Sequence, residues 1–418
     1  MLSLSERDRA FLAGAEGEAA ALAMRILVEM AEVMGADRMI DVVSAHVDGC
    51  LYHGAAGLAF AERLVAGGAL VRVPTTLNVG YLDLLHPDRY RGAARTAGDA
   101  RRQMDLYVRM GCRPTWTCAP YQLPERPRAG EHVAWAESNA IVFCNSVLGA
   151  RTNRYGDFID ICAAVAGRVP FAGLHRDEER RARLVLRLER VPGRLLDDDA
   201  LYPVLGHLLG REAGSSVAAI VGLPPGTGEE RLKALGAAAA SSGAVAMFHA
   251  VGVTPEAPTL EAATGGAGVP EVPVTMARLR TARDELSTAA GDALGAVSVG
   301  TPHASLTELE RLAALLAGAR VRVPTYVNTG RDVLAEAERA GIVRALEGSG
   351  VRIVTDTCTY LTPIIGRVSG AVMTDSGKWA WYAPANLGVE VVFGSLRDCV
   401  RSAVAGRVER DEEAWADG

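Results

Sequence analysis

The stretch VRVPTTLNVG, residues 71–80, recurs as VRVPTYVNTG, residues 321–330, and seven of the ten positions are identical. In both places a helical pattern follows, and then a second matching pair, GCRPTWTC at residues 111–118 and GVRIVTDTC at residues 350–358. Each copy is predicted to run strand, PT..N.G loop, helix, strand and finally a Thr-Cys pair. Two copies this far apart are not an array of short units, so no solenoid is implied. The repeat predicts two related α/β units, each with a Thr-Cys pair at a strand end.

Composition and periodicity predict the fold class of the whole chain. Hydrophobic residues make up 49% of the 418 positions but aromatic residues only 5%, and there are 45 glycines. We therefore expect a core of small side chains and closely approaching backbones. Apolar runs at residues 184–188, 217–221 and 244–250 read as strands and alternate with Ala-rich helical stretches. This pattern predicts an α/β protein of mainly parallel sheets with helices on both faces and two internally related halves.

The repeat also suggests how the chain is divided. We predict a first α/β unit at residues 1–170, a middle unit at 171–295, a second repeat-related unit at 296–405 and an acidic tail at 406–418. The tail is expected to be solvated, because it is a charged chain end.

Charge and cysteine content exclude several classes of protein. The net charge is −6 and no Lys/Arg tract occurs, so neither nucleic acid nor a membrane is expected as a partner. The first residues do not have the basic and then apolar character of a secretory signal, and we expect a cytoplasmic protein. Seven cysteines, an odd number, favour thiol or metal chemistry over a disulfide framework.

Cysteines at predicted strand ends are candidate metal ligands. Cys118 and Cys358 occupy equivalent places in the two copies of the repeat, and two thiols meeting in one cleft would suit a soft metal or an iron–sulfur centre. Cys144, predicted to follow an apolar strand at residues 140–143, is the preferred third ligand. Cys50 is the alternative. No C-x-x-C spacing and no metalloprotease, P-loop or nucleophile-elbow motif occurs in the chain.

Polar side chains near these cysteines are candidates for binding a small anionic substrate. Arg151 and Asn153 follow Cys144 in a polar loop, and an arginine can grip a carboxylate with two hydrogen bonds. Lys378 lies in a Gly-containing turn and would pair with a carboxylate. His46 and His303 are expected to be hydrogen-bonding loop residues rather than ligands.

Seven motifs together resemble one protein family over nearly the whole chain. They are SAHVDGC (44–50), PTTLN (74–78), PTWTCAPYQ (114–122), GEHVAWAESNAIVFCNSVLGARTNRYGDF (130–158), GTPHAS (300–305), DTCTYLTP (356–363) and SGKWAWYAP (376–384). In this order they resemble the catalytic large subunit of the aconitase X family. The resemblance implies an aconitase-like multi-domain core, an iron–sulfur cluster and a dehydratase reaction. The family includes bacterial cis-3-hydroxy-L-proline dehydratases and archaeal 5-phosphomevalonate dehydratases.

Two departures refine what the resemblance implies. Thr301 stands where the archaeal type has a cluster-binding cysteine, and Cys144 stands where that type has a small residue. Both features resemble the hydroxyproline branch and favour a [2Fe-2S] over a [4Fe-4S] cluster. No segment resembles the small swivel domain that carries the family's basic serine, so a separate small subunit is expected as the partner.

The resulting hypothesis is a hydro-lyase whose cluster acts as a Lewis acid on the substrate hydroxyl. Its expected metal ligands are Cys118, Cys144 and Cys358. The expected substrate-binding residues are Gly49, Cys50, Asn78, Asn139, Arg151, Asn153 and Lys378. A 5-phosphomevalonate dehydratase large subunit is the alternative within the family. A zinc-dependent hydrolase and a non-catalytic binding subunit are alternatives of other classes.

Overall fold

The computed structural model describes residues 2–416, which form two compact units. The first unit holds the chain up to Leu82 together with Gly92–Arg181, and the second holds Asp83–Arg91 and the chain from Ala182 onward. Among residues 2–416, no helix combines the length and the apolar character needed to cross a bilayer.

The first unit combines helices with short strands. Its helices are α1 (Glu6–Leu12), α2 (Glu18–Val33), α3 (Ala55–Ala66), α4 (Ala94–Arg109), α5 (Ser138–Phe143) and α6 (Ile159–Ala166). Its strands are β1 (Met39–Asp41), β2 (Ala45–Val47), β3 (Thr75–Leu77), β4 (Ala134–Trp135) and β5 (Arg168–Pro170). A parallel sheet runs in the order β3-β2-β4, and β1 pairs with β5 in antiparallel fashion. The carboxyl ends of β2, β3 and β4 therefore meet at one edge.

The second unit contains two parallel sheets. Its strands are β6 (Leu184–Leu188), β7 (Ala218–Val221), β8 (Phe248–Ala250), β9 (Glu271–Val274), β10 (Leu294–Ala304), β11 (Thr325–Thr329), β12 (Val351–Val354), β13 (Ala371–Thr374) and β14 (Val391–Phe393). Its helices are α7 (Gly193–Leu196), α8 (Leu201–Ala213), α9 (Glu229–Ser242), α10 (Leu260–Thr264), α11 (Met276–Glu285), α12 (Leu306–Leu316), α13 (Arg331–Arg339), α14 (Ile342–Gly348), α15 (Gly377–Leu387) and α16 (Leu396–Ala405).

Every strand pair in these two sheets is parallel. One sheet runs β8-β7-β6-β9 and the other β12-β11-β10-β13-β14. The predicted fold class, an α/β protein of mainly parallel sheets flanked by helices, is confirmed.

The two copies of the repeat fold only partly alike, and the strands do not lie where the sequence placed them. The second copy forms β12 before its Thr-Cys pair, whereas the strand predicted at residues 111–117 is wrong, since Arg113 makes only an isolated bridge to Thr76. The strands are β3 and β11, which begin at the threonine of each PT pair, and not the VRV segments before it. Proline has no N–H to contribute to a ladder, so the strand starts only after Pro74 or Pro324. The VRV segments instead make matching hydrogen bonds. The Val71 N–H donates to the Met110 carbonyl and the Val321 N–H to the Ser349 carbonyl, each across 2.9 Å. Each of these carbonyls lies directly before the second repeated segment of its copy.

Small residues allow close backbone packing, as the composition predicts. Helices α8 and α9 touch through glycines, and a Cβ built at Gly206 would lie 2.1 Å from the Leu235 carbonyl oxygen. A Cβ at Gly243 would lie 2.3 Å from the Gly210 carbonyl oxygen. No side chain fits at these contacts without separating the two helices.

Most of the predicted solvated tail, as far as residue 416, is exposed or half-buried, but Trp415 is packed against the second unit. Trp415 is only 6% exposed, and the Arg283 guanidinium lies 5.3 Å from the centre of its ring. The Arg194 guanidinium donates to the Ala416 carbonyl across 2.7 Å. A single large apolar side chain thus holds the charged segment against the second unit, and residues 417–418 lie outside the described range.

A buried ion pair anchors the N-terminal helix of the first unit. Arg168 donates to both carboxylate oxygens of Asp8, across 2.9 and 3.1 Å, and Asp8 is 1% exposed. Burial alone would raise the pKa of Asp8, but hydrogen bonds from Arg168 and Ser5 hold it below the ordinary value of 3.8. A carboxylate with a depressed pKa stabilises the folded state above its unfolded pKa, and this contribution is lost as the pH falls through the folded pKa.

We expect Asp8→Asn to lower the free energy of unfolding by about 2 kcal/mol at pH 7, because it removes the buried carboxylate from the Arg168 guanidinium, which keeps only the exposed Asp41 carboxylate and the Met39 carbonyl. The difference from the unchanged protein should shrink below about pH 4, where Asp8 itself becomes protonated. Urea unfolding at pH 7 and pH 3 measures both values. Asp37→Asn, which removes an exposed partner of Arg38, is the matched control and should change stability by less than about 1 kcal/mol. An equal Asp8→Asn effect at both pH values would contradict this account.

Candidate functional site

Polar side chains gather at the carboxyl edge of the parallel sheet in the first unit. Asp48 follows β2, Asn78 follows β3, and Glu137 comes two residues after β4. All three strands are parallel, so these residues share one edge although they are far apart in sequence. This edge is the position at which ligands bind in open α/β sheets.

The loop after β2 is held from behind by side chains. Asp160 accepts hydrogen bonds from the N–H groups of Asp48 (2.7 Å) and Gly49 (3.0 Å), and Gln103 donates to the Gly49 carbonyl across 2.7 Å. A Cβ at Gly49 would lie 2.6 Å from the Tyr107 hydroxyl oxygen, so only glycine fits there. The loop that carries the predicted substrate-binding residue Gly49 is therefore rigid.

The Cys50 thiol points into this rigid loop. Its Sγ atom lies 3.5 Å from the Val47 carbonyl and 3.4 Å from the Asn78 carbonyl. Burial raises the pKa of Cys50 well above its ordinary value, and the carboxylates of Asp48 and Asp160 add to that shift. A metal ligand must be a thiolate, so these surroundings suit the predicted role of the Cys50 backbone better than the alternative role of its thiol as a third ligand.

Asn78 links two strand ends. Its N–H donates to the Val47 carbonyl across 2.9 Å and its Nδ2 donates to the Asp48 carboxylate. Its Oδ1 atom is buried and has no hydrogen-bond partner among the described residues. His46 Nδ1 lies 2.8 Å from the Thr76 hydroxyl, and burial lowers the pKa of His46 to about 3. That histidine is a neutral hydrogen-bonding residue, as predicted.

Negative charge is concentrated at this edge. Burial raises the pKa of Asp48 well above its ordinary range, and the neighbouring carboxylates of Asp157 and Glu137 reinforce the shift. Burial also raises the pKa of Asp160 to about 7, again with a contribution from Asp157. Such a group of acids, partly withdrawn from water, can hold a proton or attract a cation.

Cys118 is tied to the same edge through Asn139. The Asn139 Nδ2 donates to the Cys118 carbonyl across 3.0 Å and to Glu137, and its Oδ1 accepts from the Tyr121 hydroxyl across 2.6 Å. Glu137 also caps α5 by accepting the Ala140 N–H across 2.9 Å. The structure thus brings together two predicted site residues, Cys118 and Asn139, and adds Glu137, for which no role was predicted.

The segment before Cys144 is a helix, and the predicted strand at 140–143 is wrong. Helix α5 begins beside Glu137 and continues into a π-helical turn, Cys144–Leu148. The Glu137 cap starts a helix where a run of four apolar residues could equally have been a strand. Cys144 is fully buried in an apolar cluster with Tyr121 and Phe143, and this burial raises its pKa. Its role as a ligand stays a prediction.

Arg151 and Asn153 make contacts within the first unit. Arg151 pairs with the exposed Asp177 and donates to the His175 carbonyl across 3.1 Å. Asn153 accepts the Leu174 N–H across 2.8 Å and donates to the Ala172 carbonyl across 3.0 Å. Both side chains hold the turn around residues 172–175. These contacts do not test their role in substrate binding, which stays a prediction.

Cys358 and His303 lie together in the second unit. Cys358 follows β12 and His303 lies near the end of β10; both are 0% exposed, and the sulfur lies within 4.8 Å of a ring nitrogen. His303 Nε2 lies 3.1 Å from the Thr357 carbonyl, an oxygen that only accepts, so Nε2 carries the proton. Sequence reasoning favoured a hydrogen-bonding role for His303, and its proximity to a thiol emerges only from the parallel sheet.

Asn328, the counterpart of Asn78, fixes the loop that carries Cys358. Its Oδ1 accepts the Thr359 N–H across 3.1 Å and its Nδ2 donates to the Val299 carbonyl across 2.9 Å. Gly300 has φ +77°, and a Cβ there would lie 2.5 Å from the Asn328 carbonyl oxygen. A glycine is therefore required beside this asparagine.

Lys378 belongs to the same region of the second unit. It is 2% exposed at the start of α15, and its Nζ lies 5.8 Å from the centre of the Tyr360 ring, two residues after Cys358. A buried ammonium needs negative charge or oxygen atoms around it. This placement is compatible with the predicted pairing of Lys378 with a substrate carboxylate.

A cavity of about 350 Å³ opens at the carboxyl edge of the five-stranded sheet. The starts of five helices, α8, α9, α12, α15 and α16, line it together with the β10 segment around Thr301. Lys233, 4% exposed on its wall, pairs with Glu308 and donates to the His303 carbonyl across 3.3 Å. The cavity wall and the loop carrying His303 are thus parts of one hydrogen-bonded structure.

Each unit contains buried side-chain donors of the kind that iron–sulfur clusters use. Buried thiols occur at equivalent places in both copies of the repeat, Cys118 and Cys358, and an imidazole accompanies the second. Thiolate sulfur with imidazole nitrogen is a set that soft or borderline metals prefer over Mg²⁺ or Ca²⁺. All seven cysteines lie in the described range and are thiols.

Comparison with known proteins identifies the family of the chain. Models of the first, second and third domains of aconitase X match residues 1–178, 182–284 and 294–405. A cis-3-hydroxy-L-proline dehydratase of Pseudomonas aeruginosa is 46% identical over 98% of this chain and 71% of that protein. The phosphomevalonate dehydratase large subunit of Methanothermobacter thermautotrophicus is 38% identical over 93% of this chain and 95% of that protein.

A solved structure gives the same result at the level of the fold. The crystal structure of Thermococcus kodakaraensis aconitase X in its holo-form superposes with a TM-score of 0.86 and 33% identity. The match covers 96% of this chain and 100% of that one. The chain belongs to the aconitase X family.

Proposed function

We propose that this chain is the catalytic large subunit of a hydro-lyase that removes water from cis-3-hydroxy-L-proline. The observation that carries the proposal is its 46% identity, over 98% of its length, to a dehydratase named for that substrate. A second dehydratase of the same name, from Hypocrea jecorina, is 43% identical over 97% of the chain. The family's archaeal phosphomevalonate dehydratase large subunits are more distant, at 31–38% identity.

We further propose that Cys118, Cys144 and Cys358 hold an iron–sulfur cluster, of the [2Fe-2S] rather than the [4Fe-4S] form. Buried thiols at equivalent positions of the two copies of the repeat support the first and last of these ligands. Cys144 is supported by the sequence alone, and His303 is a further candidate because it lies beside Cys358. When bound, such a cluster would supply Lewis acidity toward the substrate's 3-hydroxyl group.

The chain's own residues would bind and orient the substrate. The rigid backbone of Gly49 and Cys50, together with Asn78 and Asn139, forms a polar wall in the first unit. Lys378, buried in the second unit, provides an ammonium for the substrate carboxylate. Because these groups are largely withdrawn from water, their hydrogen bonds to a bound substrate would be strong. Arg151 and Asn153 stay in the proposal as second candidates for the carboxylate.

A separate small subunit is part of the proposal. Five archaeal relatives are named as large subunits, and the chain spans 95% of the one from Methanothermobacter thermautotrophicus but 71% of the bacterial relative. We propose that a small swivel-domain partner supplies the base that removes the Cα proton. Cytoplasmic location and the division at residues 170, 295 and 405 remain predictions.

A side-by-side substrate assay tests the function. The chain is co-purified without oxygen with a small swivel subunit, and turnover of cis-3-hydroxy-L-proline and of 5-phosphomevalonate is measured on the same preparation. We expect turnover of the imino acid alone. Turnover of 5-phosphomevalonate alone would favour the archaeal activity. A zinc-loaded, colourless preparation without dehydratase activity would instead favour a hydrolase.

A further inference from the structure

The loop that carries Cys358 is held at both of its ends by one other segment of the chain. The loop runs from Thr355, directly after β12, to Ile364, and the segment that holds it is Asp83–Arg91. Both belong to the second unit, although Asp83 and Thr355 are 272 positions apart. Cys358 lies within the loop and is 0% exposed.

The Asp83 carboxylate holds the first end of the loop. It is 3% exposed and accepts the Thr355 N–H across 3.2 Å and the Thr355 hydroxyl across 3.1 Å. It also accepts the N–H groups of Leu85 (3.1 Å) and His86 (2.9 Å), which fold its own segment into a turn. Hydrogen bonds to a carboxylate are stronger than those between neutral groups. Asp83 therefore ties the segment and the loop together.

The next residue of the loop is held in an unusual conformation. Asp356 has φ +61°, in the left-handed region that residues other than glycine adopt rarely. Arg331 donates to both of its carboxylate oxygens, across 2.6 and 2.7 Å, and the Leu84 N–H donates to it across 3.1 Å. Such a conformation persists only where its surroundings enforce it. The segment thus helps to fix the backbone two residues before Cys358.

Arg91 holds the other end of the loop. Its N–H donates to the Pro363 carbonyl across 2.9 Å, and its Nε donates to the Ile364 carbonyl across 3.1 Å. Between the two ends, the Cys358 carbonyl accepts the Leu361 N–H across 3.0 Å. The loop is therefore closed on itself around Cys358 and fastened at both ends.

We propose that Asp83 and Arg91 are positioning residues that hold the Cys358 thiol where a cluster can bind it. They act on the thiol through the loop, because each contacts the loop at one end and Cys358 lies between. The inference rests on the proposed role of Cys358 as a cluster ligand and deepens it. Residues that support metal ligands in this way typically change metal affinity or activity 10- to 100-fold.

Site-resolved alkylation of the full chain, freed of iron by a chelator, is the first test. Iodoacetamide reaches a buried thiol only when its surroundings open locally, and mass spectrometry measures the rate at each cysteine separately. An amide has one acceptor oxygen where the carboxylate has two, so Asp83→Asn should make Cys358 react about 10- to 100-fold faster. Cys399, in the apolar core of the same unit, should keep its rate. Asp88→Asn, at an exposed position of the same segment, is the matched control and should change neither rate.

A second variant and a second measurement complete the test. Arg91 is exposed, so Arg91→Met does not threaten folding, and it removes only the hydrogen bond to the Ile364 carbonyl. Cys358 should then react about two- to tenfold faster. In the iron-loaded complex with the small subunit, bathophenanthroline disulfonate should remove iron at least about tenfold faster from Asp83→Asn than from the unchanged protein.

The outcomes separate this inference from the proposed function. An unchanged Cys358 rate in both variants would overturn the positioning role, and so would equal acceleration of Cys358 and Cys399, which indicates general destabilisation. Iron release at the unchanged rate from Asp83→Asn would also overturn it. If Asp83→Asn does not fold, the two rates in Arg91→Met decide. A complex of the unchanged protein that holds no iron would contradict the proposed cluster before any variant is compared, and this inference would fall with it.

Discussion

Replacing Cys358 by alanine should remove the bound iron and sulfide from the complex and lower dehydratase activity by about a thousandfold or more. The reason is that the change deletes a thiolate proposed as a cluster ligand, and the Lewis acidity lost with the cluster would be worth several kcal/mol of transition-state stabilisation. Cys118→Ala, at the equivalent place in the other copy of the repeat, should have the same effect. Iron and acid-labile sulfide per chain, the visible absorption spectrum and turnover are the measurements.

Cys399→Ala is the matched control for this experiment. Cys399 lies on α16 and is also fully buried, in the apolar core of the second unit. Replacing it by alanine removes packing contacts but none of the proposed cluster ligands. Its iron content should stay at the level of the unchanged protein. Iron retained in Cys358→Ala, or lost equally in Cys399→Ala, would contradict the assignment. Cys144→Ala and Cys50→Ala in the same series identify the third ligand.

Replacing Lys233 by methionine should lower the free energy of unfolding by about 3 kcal/mol. Lys233 is 4% exposed and pairs with Glu308 across α9 and α12, so methionine removes a buried ammonium and leaves the one-third-exposed Glu308 carboxylate without its partner. It also removes the donor to the His303 carbonyl, so we expect a tenfold or larger loss of activity, an order of magnitude typical of residues that support metal ligands. Urea unfolding and turnover measure the two effects.

A second change separates charge from packing at this pair. Glu308 accepts the Ser305 N–H in the capping box of α12, and glutamine preserves that cap. Lys233→Met combined with Glu308→Gln removes both charges and should recover at least about 1 kcal/mol of the lost stability. If the double variant is no more stable than Lys233→Met alone, the ion pair is not the cause of the loss.

The repeat in the sequence predicted much of the architecture, because identical local patterns fold alike. It located β11 and its counterpart β3 within a few residues, and it placed Cys118 and Cys358 in equivalent positions. It misplaced the strand starts, since the effect of Pro74 and Pro324 on the ladder was not considered.

Other parts of the site depend on long-range packing that no local pattern reveals. The helix before Cys144 begins because the Glu137 carboxylate caps it. The four apolar residues that follow are compatible with either a helix or a strand, so the sequence pattern alone does not predict this helix. Asp48 and Glu137 meet only because β2 and β4 are neighbours in the sheet, and they are almost ninety residues apart. His303 could have been suspected, since it stands beside Thr301 after a predicted strand, but only the sheet brings it to Cys358.

The most direct test of the central claim is a proton NMR time course of the iron-loaded complex with cis-3-hydroxy-L-proline. Loss of water from the 2,3-bond gives an enamine that tautomerises to pyrroline-2-carboxylate. We therefore expect the signal of the proton on C3 next to the hydroxyl to disappear as signals of the cyclic imine grow in equal amount. In deuterium oxide, deuterium should appear at C3 of the product. An unchanged substrate spectrum, with iron and sulfide present and the small subunit bound, would contradict the claim.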